Sequence, residues 1–179
     1  MVEKVTFGDD YEFPKEVHNM LVEAQSAHVQ FSSMADSKAS ILMGASFVVF
    51  SITLGQSQAS AMSAPTLVLM AFSFFATVLS VLAVLPEFGG GKGKFGGPNL
   101  LFFGVFSHMD EDAYVDQLVD EMRSEEKVYR MMARDLHQNG SVLHRHKYRY
   151  LKYSYRTFLV GLVATALTFI FTAVHPLHH

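Results

Sequence analysis

Four clusters in this 179-residue chain carry side chains capable of chemistry, and the spacing of each limits what that chemistry can be. Lys92 and Lys94 sit in the run Gly89-Gly90-Gly91-Lys92-Gly93-Lys94-Phe95-Gly96-Gly97-Pro98, which is superficially like a phosphate cradle. A Walker loop, however, needs its lysine followed by Ser or Thr at a helix start, after a strand. Here Gly93 follows Lys92, no strand precedes it, and Pro98 blocks an immediate helix, so the run reads as a flexible linker beside lipid head groups. His137, His144 and His146 stand near Asp135, but His144 and His146 are two apart and point away from each other on a helix, which is unsuited to a shared metal ion. His175, His178 and His179 fall on a terminal tail and carry no weight. The acids Asp110, Glu111, Asp112, Asp116, Asp120 and Glu121 gather at the start of a helical pattern, where the macrodipole favours negative charge.

No Ser-His-Asp set or paired carboxylates can be argued from spacing, and the absence of cysteine excludes thiolate chemistry and cysteine ligation of zinc. The expectation is a protein that is not an enzyme and carries no metal or cofactor. Asp36 and Lys38 are more informative, because they immediately precede a long apolar run where unpaired charge is costly. They are either an ordinary interface flank or a lock. In the second case Asp36 pairs with Arg149, Lys152 or Arg156, and Asp36, Lys38, Arg149, Lys152 and Arg156 couple the soluble helices to the membrane.

The elements that position these groups follow from where charge disappears. From Ala39 to Pro86 there is no Asp, Glu, Lys or Arg. A charge at a bilayer centre costs roughly 2.5–3.5 kcal/mol on insertion scales, so such a run suits lipid. Half of the chain is hydrophobic and only 17% is charged, against roughly a quarter in soluble domains. The fold class is therefore an all-α integral membrane protein. Three transmembrane helices are joined to a small helical cytoplasmic module built from long helices continuous with the spans.

Residues 1–38 form a cytoplasmic amphipathic helix after a loose terminus, opened by Pro14. Val17, Met20, Leu21, Ala24, Phe31, Met34 and Ala35 recur on one face together with His28. A hairpin over residues 39–86 holds spans 39–56 and 66–85; the first is about 27 Å long at 1.5 Å per residue. Gly44, Ala45, Ser46, Ser51 and Thr53 give the first span a small side for close helix contact. Residues 87–156 hold the linker, the short apolar segment Asn99–Gly104 and a helix from about Glu111 to His137. Ser107 and Asp110 offer caps for that helix, and Asn139-Gly140 gives a stop. A last helix from Ser141 leads through Tyr148, Tyr150, Tyr153 and Tyr155 into a third span, 157–174, before an external tail, 175–179.

Eleven of the fourteen Lys and Arg lie between the second and third spans, and none follows Arg156. The positive-inside rule then places that stretch and the N-terminus in the cytoplasm and the C-terminus outside. The net charge of −3 gives no field that favours a nucleic acid polymer.

Ala35-Asp36-Ser37-Lys38-Ala39-Ser40-Ile41-Leu42-Met43-Gly44 resembles the A-D-x-K-A-x-x-L-x-G signature of the Pycsar transmembrane effector family. Asn99-Leu100-Leu101-Phe102-Phe103-Gly104 is similar to its N-L-L-F-F-G motif, and Lys147-Tyr148-Arg149-Tyr150-Leu151 leading through Tyr155 and Phe158 is a third likeness. Together these cover about residues 15–174. Some relatives are fused to an HD phosphohydrolase domain, whereas this chain has no HD pair. The resemblance implies an antiphage effector of the bacterial inner membrane, activated by a cyclic pyrimidine nucleotide, cUMP or cCMP, and impairing membrane integrity. A chain with three spans is too small to enclose a pore, so the expected form is a homo-oligomer. Arg130, Arg134, Arg145 and Lys147 are candidates for phosphate contact on basic charge alone. The alternative is a membrane-anchored scaffold or accessory subunit whose amphipathic helices dock a partner.

Overall fold

The computed structural model describes residues 13–59, 62–85 and 99–174. The linker with Lys92 and Lys94, the first twelve residues and the terminal histidines lie outside the described residues. Six α-helices follow in order: α1 Lys15–Ala59, α2 Ala64–Val84, α3 Phe103–Phe106, α4 Glu111–Met122, α5 Glu125–Val142 and α6 Arg149–Val174. A π-helical turn, Leu143–Tyr148, joins the last two. No strand occurs among the described residues, and three helical stretches are long and apolar enough to cross a membrane, as the composition requires.

The chain divides into two compact units, Met1–Phe31 with Glu87–Leu143 and Ser32–Pro86 with His144–His179. In the first unit, the Pro14 carbonyl accepts the Val17 N–H at 2.9 Å as α1 begins. The segment from 111 to 137 is two helices rather than one. Asp110 caps α4 by accepting the Ala113 N–H at 3.2 Å, as its type predicts. The chain then leaves helical geometry at Ser124 (φ −127°, ψ 128°), and α5 starts with Glu125 and Glu126 in its first turn. These two acids, which interrupt the apolar face of the sequence pattern, mark a new helix N-terminus, where negative charge is favoured.

Asn139-Gly140 does not stop the helix; α5 continues through it to Val142. Both residues make contacts within the unit that depend on the helix continuing. A Cβ placed on Gly140 would stand 2.9 Å from His28 Cε1, so the glycine lets α1 and α5 approach. Asn139 turns its amide to Asp135 at 2.9 Å. A glycine inside a helix costs about 1 kcal/mol relative to alanine, an amount the close packing offsets.

The second unit has the inverse of a soluble core. Apart from Leu42 and Leu151, its buried positions are small or hydroxylated: Ala35, Ala39, Ser46 and Thr53 on α1, Ser73, Ala76, Ser80 and Ala83 on α2, and Ser154 and Gly161 on α6. Large apolar groups such as Ile41, Phe47, Phe75, Val163 and Phe171 point outward. Between helices in lipid the apolar drive is weak and close backbone approach decides contact, so small residues occupy the seam. Ser154 Oγ donates to the Ala76 carbonyl at 2.7 Å, which leaves Ser80 to donate to Ser154 at 2.7 Å. Ser46 and Thr77 share a bond of 2.9 Å. At Gly161 an added Cβ would lie 2.3 Å from Phe72 Cβ. The small side read from the first span therefore splits: Ser46 and Thr53 face the seam, whereas Gly44, Ala45 and Ser51 are exposed.

Candidate functional site

Two polar nodes stand out, one in each unit. In the first, Asp135 is only 1% exposed, on the α5 face that also carries Met132 and Leu136. One carboxylate oxygen accepts from Gln25 Nε2 at 3.1 Å and Asn139 Nδ2 at 2.9 Å, and the other accepts from Asn99 Nδ2 at 3.0 Å. Asn99 is itself 2% exposed. It also donates to Gln138 Oε1 at 3.0 Å and accepts the Leu101 N–H at 3.1 Å, which turns the backbone into α3. The Asn99–Gly104 motif is therefore pinned to α5 by its first residue, with Leu100 buried beside it. Its role here is to tie α1, α5 and the post-linker segment into one unit.

In the second unit Lys147 lies in the π turn and reaches Asp36. Its ammonium is 2.8 Å and 2.6 Å from the two carboxylate oxygens and 2.8 Å from Ser32 Oγ. A lysine has three donors, and all three are engaged. The partner of Asp36 is thus a basic residue near the last helix, but not Arg149, Lys152 or Arg156. The reason is register. Lys147 stands four residues before the buried Leu151 and seven before the buried Ser154, on the inward side. Arg149, Lys152 and Arg156 are exposed, displaced around the helix from that side. Lys38 is exposed and takes no part in this pair.

The four residues expected to meet a phosphate are divided between the two units. Arg130 holds Glu126 at 2.6 Å, one helical turn earlier. Lys147 is saturated by Asp36 and Ser32. Arg134 and Arg145 are exposed, and neither makes a side-chain hydrogen bond or ion pair among the described residues. Arg130 and Arg134 belong to the first unit, and Arg145 and Lys147 to the second. Sequence reasoning weighed Asp135 only as a metal ligand and missed it as a hydrogen-bond node. The available signal was a carboxylate three residues after Met132 with Asn139 one turn further on, on the same helix face.

A family model described as the Pycsar effector protein domain matches residues 19–174 of the chain. The match takes in both nodes. No curated protein and no solved structure matches the chain.

Proposed function

The chain belongs to the Pycsar effector family, and from that membership we propose that it is an antiphage effector of the bacterial inner membrane. In this reading a cyclic pyrimidine nucleotide, cUMP or cCMP, binds the cytoplasmic helices, and a homo-oligomer of the chain then impairs membrane integrity. The observation that carries the proposal is the family domain laid over three helices apolar enough to span a bilayer. The excess of Lys and Arg between the second and third spans supports a cytoplasmic N-terminus and an external C-terminus. The chain acts by binding and rearrangement rather than by catalysis, without a cofactor. Arg134 and Arg145 have guanidiniums open to an anion, whereas Arg130 and Lys147 would first have to leave Glu126 and Asp36.

Titration of the reconstituted protein with cUMP, cCMP, cAMP and cGMP, read by calorimetry and by dye release from the same vesicles, tests this. One pyrimidine nucleotide should bind and trigger release. Arg134→Gln and Arg145→Gln, made singly, report whether either guanidinium contributes to that affinity. Absence of binding, together with unchanged membrane potential in cells supplied with the nucleotide, would favour the scaffold reading instead.

A further inference from the structure

From Leu136 to His179 the chain contains no Asp or Glu, yet this stretch holds Arg145, Lys147, Arg149, Lys152 and Arg156. The charge of Lys147 is answered by Asp36. Arg149, Lys152 and Arg156 are not answered: all three are exposed, and none makes a side-chain hydrogen bond or ion pair among the described residues. The guanidinium of Arg149 lies 5.7 Å from the Tyr150 ring centroid, a contact that leaves its charge in place. At spacings of three and four the three cations share one face of α6.

Continued along the helix, that face becomes Val160, Val163, Leu167, Ile170 and Val174, each at least 55% exposed. Its character thus switches from cationic to apolar within the single turn between Arg156 and Val160. Tyr153, also exposed, stands on the cationic side of the switch. A face that is apolar over one length and then abruptly basic matches the profile of a bilayer from acyl chain to phosphate. A second copy is a poor occupant, because parallel association through this face would oppose like charges.

We propose that Arg149, Lys152 and Arg156 form a binding row for the headgroup phosphates of anionic phospholipids, so that the protein selects anionic over zwitterionic lipid around α6. This row rests on the membrane-spanning reading of α6 but not on any response to a nucleotide, so the two can fail separately. Each basic group near an anionic surface strengthens attachment roughly fivefold at low ionic strength.

The test is the relative association of spin-labelled phosphatidylglycerol and phosphatidylcholine with the full chain in phosphatidylcholine vesicles, measured by electron paramagnetic resonance. The wild type should prefer phosphatidylglycerol by roughly fivefold or more, and 0.5 M NaCl should reduce that preference. The combined variant Arg149→Gln/Lys152→Gln/Arg156→Gln should bind both labels equally. Circular dichroism on the same vesicles checks that it is folded, and the salt titration of the wild type tests the row without any variant. Equal association in the wild type, a preference indifferent to salt, or full selectivity in a folded triple variant would each overturn the proposal. Loss of the preference on adding millimolar inorganic phosphate or cUMP would instead assign the row to a soluble anion and overturn the lipid reading.

Discussion

Asp135 and Asp36 are both aspartates that draw together helices far apart in sequence, and they are satisfied in opposite ways. Asp135 is sealed from solvent and answered by three neutral amides, those of Gln25, Asn99 and Asn139. Asp36 retains 37% of its side-chain exposure and is answered by one cation, the 23%-exposed ammonium of Lys147. The difference follows from what each site can supply. A fully enclosed carboxylate depends on a complete set of donors, and each hydrogen bond to a charged group contributes roughly 1.5–3 kcal/mol. A half-exposed pair keeps part of its hydration, so its attraction is screened and its net contribution is small. The amide cage should therefore dominate the stability of its unit, whereas the ion pair should add little to a register of α6 that the packing of Leu151, Ser154 and Gly161 already sets.

The sharpest way to break this comparison is Asp135→Leu, which leaves the buried Asn99 amide and the less enclosed amides of Gln25 and Asn139 without their acceptor. It should destabilise the protein by about 3–5 kcal/mol, read by denaturant unfolding in detergent, with faster hydrogen exchange in α5. If it costs no more than Asp36→Leu, the contrast between the nodes is wrong. Asn99→Ala should follow at about 1–3 kcal/mol, with limited proteolysis accelerating near residues 99–106 and the second unit unaffected. Gly140→Ala replaces the close contact with His28 by an overlap at 2.9 Å and should cost about 1–2 kcal/mol. The combined variant Gly140→Ala/His28→Ala should recover part of that loss. Smallest is the ion pair: a double-mutant cycle of Asp36→Asn and Lys147→Met should give a coupling of about 1 kcal/mol that declines with added salt. A coupling above that of the amide cage would invert the ranking.

Much of the architecture was legible in the chain itself. The charge-free run from Ala39 to Pro86 requires lipid or a deep core, and with the third apolar stretch it sets three membrane-length helices. Asp110 was readable as a cap from its type and position. Asn139-Gly140 misled because glycine after a periodic run marks both a helix end and a close helix crossing, and only the arrival of His28 from α1 distinguishes the two. Glu125 and Glu126 fall inside the single helix read from Glu111 to His137, and a charge on a helix face and a charge opening a new helix share one local pattern.

The candidate sites divide along similar lines. That Asp36 pairs with a basic residue near the last helix was one of two readings open in the sequence, an ordinary interface flank being the other, and composition supplies the candidates. Which one is chosen depends on the inward register of α6, fixed by Leu151, Ser154 and the contact of Gly161 with Phe72. The same register turns Arg149, Lys152 and Arg156 outward. The Asp135 node was only partly open to local reading, because two of its three donors come from positions 25 and 99, on other segments.

The sequence by itself determined the solvent of each segment, since the free energy of moving charge and apolar surface between water and lipid is a property of composition along the chain. Tertiary structure alone decided which polar groups meet. A helix presents several equivalent basic residues within two turns, and only the packing of small residues against a neighbour makes one of them face inward.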